Sequence, residues 1–142
     1  MRKAQDVDVR TAGGPGGPRS KECILKRMNL AIVADVDEQT RRCVDRCRET
    51  YEGCQVAIAH ILEGDGQGKE RQVRLLTDCA EICETCASFL LRRSGRHAIV
   101  CRACADICDA VSGEFGTYGD ELMAALIDIC RECAKACKDM LV

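Results

Sequence analysis

The sequence has no tryptophan, two tyrosines and two phenylalanines, so aromatics make up only 3% of its 142 residues. A platform that stacks bases needs more aromatic side chains than this. Nor is there a basic excess: 21 Lys and Arg face 23 Asp and Glu, for a net charge of -2. Nucleic-acid binding is therefore not expected. No stretch approaches the roughly 18 uncharged apolar residues of a membrane span. The opening MRKAQDVDVRTAGGPGGPRSKE has neither an apolar run of export-signal length nor a twin-arginine start, so a cytoplasmic protein is expected. Two histidines cannot furnish a convincing Ser/His/Asp arrangement, and no paired-carboxylate site is evident. The chain is not expected to be an enzyme.

Against these absences stand 13 cysteines. Such density usually marks a small secreted disulfide scaffold. In a chain expected among reduced thiols it points to metal or redox chemistry instead. The odd count agrees, because pairing alone would leave one thiol over.

Gly13, Gly14, Pro15, Gly16, Gly17 and Pro18 mark residues 1–20 as a flexible tail. Residues 21–142 are read as one domain. A short pre-helix is expected over Glu22–Ala34. Four longer helical patterns follow: Asp37 to Glu63, Lys69 to Arg93, Arg96 to Ser112, and from the N-cap Asp120 to the C-terminus. Gly64-Asp65-Gly66-Gln67-Gly68, Ser94-Gly95 and the glycines 113, 116 and 119 are the expected breaks. No segment alternates with period 2, so no strands are expected. Four helices with short connections predict an all-α antiparallel up-down-up-down bundle.

Twelve of the cysteines fall three to a helix: Cys43, Cys47 and Cys54; Cys79, Cys83 and Cys86; Cys101, Cys104 and Cys108; Cys130, Cys133 and Cys137. Their spacings of three, four or seven put each trio within an arc of roughly 60°. CRACADIC at 101–108 and CRECAKAC at 130–137 repeat one another, and CAEICETC at 79–86 runs the spacing in mirror order. The same stripes carry Val36, Ile58, Ile61, Leu75, Leu76, Leu90, Leu126 and Leu141, whereas Arg and Asp or Glu fill the other faces. The sulfur is therefore expected to face inward. Counting about 1.5 Å per residue from the turn between the second and third helices places Cys101 and Cys104 level with Cys86, Cys43, Cys130 and Cys133. Cys108 falls level with Cys83 and Cys47, and Cys79 and Cys54 lie higher. Ile58, Ile61, Leu75, Leu76, Val111, Phe115, Leu122 and Leu126 should plug the far end, leaving a mouth near His97, Cys137 and Met140.

Side chains four apart on a helix have Cβ atoms about 5–6 Å from each other, so each C-x-x-x-C pair can grip one ion without a loop. Thiolates select Cu(I), Zn(II) or Fe–S clusters. A Zn(II) held by four thiolates keeps a charge of about -2 and needs tetrahedral closure. Fe–S motifs wrap their cluster with loop backbone. One Cu(I) per thiolate is neutral and accepts two or three sulfurs, so it suits a helical ladder best, with on the order of ten ions per chain. The competing readings are an Fe–S electron carrier, a structural Zn protein, and a structural or thiol-redox bundle in which cysteine is a small core hydrophobe.

Over residues 22–142 the chain resembles the bacterial four-helix-bundle copper storage proteins, through its C-x-x-x-C pair on every helix and its C-x-x-C-A-x-x-C repeats. The resemblance implies a bundle that stores many Cu(I) ions, a homotetramer, and the cytosolic kind, since no export signal is seen. It also implies that the twelve stripe cysteines are the ligands. The expected partners are copper ions and a copper chaperone. His97, on the stripe four residues before Cys101, is a candidate for passing copper at the mouth, and an ordinary loop-end histidine is an equal reading. Met28, Met140 and Cys23 are candidates for the same end or for packing. Met123 is read as core filler and His60 as surface.

Overall fold

Asp37 starts the first helix by accepting from the Thr40 amide at 2.8 Å and from the Thr40 hydroxyl at 2.8 Å, which satisfies a donor that the helix leaves open. The Thr40 amide also holds the Asp37 carboxyl below its usual pKa. Asp120 caps the last helix by accepting from Leu122 N at 3.0 Å. In this computed structural model, residues 36–116 and 120–141 are described. Among them lie α1 Glu38–Glu63, α2 Glu70–Leu91, α3 His97–Phe115 and α4 Glu121–Asp139. The tail, the expected pre-helix, Cys23 and Met28 lie outside the described residues.

Each helix packs against its two neighbours in a ring: α1 against α2 and α4, and α3 against α2 and α4. No described helix is long and apolar enough to cross a membrane. Surface links tie the ring, including Arg46 to Glu132 at 2.8 Å and Arg71 to Glu114 at 3.4 Å. His60 is half-exposed and meets Asp120 across 2.9 Å.

Two breaks differ from the sequence expectation. α3 does not end at Ser112 but continues through Gly113 to Phe115. Burial of Phe115, 1% exposed, outweighs the roughly 1 kcal/mol that a helical glycine costs. The second difference is at the end of α2, which stops at Leu91 rather than at Arg93, and Arg93 takes the left-handed conformation (φ 54°). Arg93 N bonds to Leu90 O at 3.1 Å and Ser94 N to Phe89 O at 3.0 Å. This double closure of the last turn stabilises a conformation that side chains otherwise avoid.

The expected plug forms. Leu76, Val111, Phe115 and Leu126 are buried, while Ile58, Ile61, Leu75 and Leu122 pack half-buried against them. Met123, Ala57 and Ile127 complete this apolar end.

Candidate metal store

All twelve stripe cysteines are fully buried and free. Four helices of matched pitch bring them together in three levels. The level nearest the α2–α3 turn holds Cys43 with Cys137 at 3.6 Å and Cys86 with Cys101 at 3.7 Å. The next holds Cys83 with Cys104 at 3.6 Å and Cys47 with Cys133 at 3.8 Å. The third holds Cys79 with Cys108 at 3.8 Å, together with Cys54 and Cys130.

This stacking corrects the expected register. Cys130 is not beside Cys43, Cys86 and Cys101 but beside Cys54 and Cys79, and Cys133 lies one level up with Cys47. Cys108 lies within 4.8 Å of Cys83, as expected, but it pairs with Cys79 rather than grouping with Cys47. The reason is the axial offset of the antiparallel helices, which helical spacing alone does not fix. α4 descends toward the α2–α3 turn, so its last cysteine, Cys137, reaches the lowest level.

The sulfur atoms form overlapping groups whose members all lie within 4.8 Å of one another: Cys43, Cys47, Cys86 and Cys137; Cys47, Cys104, Cys133 and Cys137; Cys83, Cys104, Cys108 and Cys133; and Cys54, Cys79 and Cys130. Thiols in such contact cannot ionise independently. Cys101 and Cys137 as hydrogen-bond partners hold the Cys43 thiol down to about 5. Cys86, chiefly through Cys101, is also held below the ordinary thiol range. The protons reside on neighbours: Cys137 is pushed up, first by Cys101, and Cys47 first by Cys104. Burial opposes charge at each of these four.

His97 does not join the sulfur groups. It is half-buried at the start of α3, where its Nδ1 meets the Ser94 carbonyl at 3.0 Å. That carbonyl can only accept, so Nδ1 carries the hydrogen and Nε2 keeps its lone pair in the neutral ring. His97 lines an open groove of about 540 Å³ together with Asp37, Phe89, Ser94 and Met140. Of the expected mouth, His97 and Met140 share this concavity, whereas Cys137 is fully buried and does not line it.

Thr50 was not singled out from the sequence. It is fully buried, and its hydroxyl donates to Arg46 O at 2.8 Å. Its place seven residues after Cys43 puts it on the same stripe, but that spacing does not by itself tell a buried threonine from an ordinary helical one. It is the only buried polar or charged residue among those described.

The arrangement is a dry, sulfur-lined lumen without a buried cation among the described residues. Three tetrahedral Zn(II) ions on twelve thiolates would leave about six negative charges uncompensated there. Monovalent ions bridged by thiolates balance the charge ion for ion.

Comparison with known proteins agrees with this chemistry. Residues 34–142 match the model of the copper storage protein family. The chain is similar to a Nitrosospira multiformis protein of solved structure: 33% identity, 75% of this chain and 97% of that one covered, TM-score 0.68. It is also similar to the Cu(I)-bound copper storage protein BsCsp3 of Bacillus subtilis, at 26% identity over 74% of this chain and 100% of that one, TM-score 0.69. A third similar structure is a cytosolic copper storage protein from Streptomyces lividans carrying five coppers: 26% identity, 73% and 92% coverage, TM-score 0.69.

Proposed function

Because this chain belongs to the copper storage protein family, we propose that it stores multiple Cu(I) ions in its lumen, on Cys43, Cys47, Cys54, Cys79, Cys83, Cys86, Cys101, Cys104, Cys108, Cys130, Cys133 and Cys137. One observation carries the reading: twelve fully buried free thiols stand in three levels, in groups closer than 4.8 Å. Ions pass in at the α2–α3 end, where His97 and Met140 line a solvent-open groove. Each ion bound displaces thiol protons, which leave the lumen with the charge balance intact. The storage role is placed in the cytoplasm, with a copper chaperone as the donor and a homotetramer as the assembly. These last three rest on family likeness.

Anaerobic titration with Cu(I), followed by intact-protein mass, tests this. The expected result is on the order of ten ions per chain, no visible colour, and loss of nearly all titratable thiols. Binding of about three ions would mean Zn-like tetrahedral sites, and a brown product would mean an Fe–S protein. The metal-free chain should already show full helical circular dichroism, because the apolar plug and the small thiols close the core without metal.

A further inference from the structure

The sulfur lining is not continuous. The three groups nearer the mouth share members in sequence: Cys47 and Cys137 belong to the first and second, Cys104 and Cys133 to the second and third. The fourth group, Cys54, Cys79 and Cys130, shares no member with any of them. Its shortest link to the rest is Cys79 to Cys108 at 3.8 Å, and Cys79 also faces Cys83 and Cys130 faces Cys108.

The cause lies on α1. Its cysteines step four residues, from 43 to 47, and then seven, to 54, a gap of about 10.5 Å. The skipped turn presents Thr50 to the core, and its hydroxyl is spent on the Arg46 carbonyl. The other three helices step only three or four throughout. Beyond the triad the neighbours one turn away are Ala57, Leu76, Leu126 and Ile127, all buried. An ion there has hydrocarbon on one side and, on the other, only Cys83 and Cys108 outside the triad.

We propose that Cys54, Cys79 and Cys130 form a separate terminal compartment, a slowly exchanging Cu(I) pool behind the main ladder. This rests on the storage reading above. Ions move between bridging sites by exchanging one thiolate for another, so the rate follows the number of shared sulfurs. The mouth-side groups offer shared thiolates at each step, whereas the triad shares none and empties only by way of its contacts with Cys83 and Cys108. With one ion per thiolate, three bridging thiolates and three Cu(I) form a neutral unit, as a dry site requires.

The test loads the full chain with Cu(I) anaerobically and follows transfer to excess bathocuproine disulfonate by absorbance. Two phases are expected, the slow one carrying about a quarter of the copper. C54S should abolish the slow phase and keep the fast one. C86S, on the mouth-side ladder, should shrink the fast phase alone. T50C, which fills the gap with a thiol, should accelerate the slow phase toward the fast one. A single phase in the unaltered chain, or a slow phase that survives in C54S, overturns the compartment. Failure to load copper at all, read by mass before the chelator is added, overturns the storage reading instead. Circular dichroism of each variant separates a lost site from a lost fold.

Discussion

The two ends of the bundle are built on the same helical period yet do opposite work. At the α2–α3 end lie a groove lined by Asp37, Ser94, His97 and Met140 and, fully buried, the first sulfur level. At the other end the stripe positions turn from thiol to hydrocarbon, and Leu76, Val111 and Phe115 exclude water. One face of a helix can therefore change its chemistry along its length without changing its fold. Stability is concentrated where the side chains are large, and ligand capacity where they are small and soft.

That contrast can be broken most forcefully by Phe115→Ala. Removing this ring should cost about 3–5 kcal/mol of folding stability, measured by chemical denaturation of the metal-free chain. Copper per folded chain should stay unchanged, and a drop in that ratio would mean that the two ends are not separable. Acid should act on the opposite end of the ledger of effects. Each Cu(I)–thiolate bond replaces a proton, so lowering the pH restores the competitor. Affinity per ion should fall about tenfold per pH unit for each proton displaced, read by chelator competition between neutral pH and pH 5. The metal-free fold should not follow that loss, since its core thiols are compatible with being protonated.

A smaller effect sharpens the same comparison from the mouth side. Cys86→Ser removes one sulfur from the group with Cys43, Cys47 and Cys137 and should lower capacity by about one ion, read by mass, with little change in helicity. The smallest effect lies at the plug end. Gly113 sits exposed inside α3, and a methyl group there would meet nothing within 4 Å. Gly113→Ala should stabilise the chain by about 0.5–1 kcal/mol, seen as a higher Tm, and leave copper capacity untouched.

The helices were legible because apolar and thiol residues recur at three and four, and because Asp37 and Asp120 stand where caps are needed. The inward face of all twelve cysteines was legible for the same reason. Three features were not. Gly113 looks like a helix end until the burial of Phe115 is weighed against it. Arg93 looks like part of α2, yet it leaves the helix in the left-handed conformation because two backbone hydrogen bonds close around it. Thr50 reads as an ordinary helical threonine, and only its full burial between thiol levels reveals that it interrupts them.

Periodicity along one helix decides the angle at which each side chain leaves the axis, and this alone set the sulfur stripes, the charged outer surface and the soft-metal chemistry. It carries no information about height relative to another helix. The pairing of Cys43 with Cys137, the placement of Cys130 beside Cys54 and Cys79, and the isolation of that triad arose only when antiparallel packing slid four helices into one register, because axial offset is set by contacts between chain segments distant in sequence.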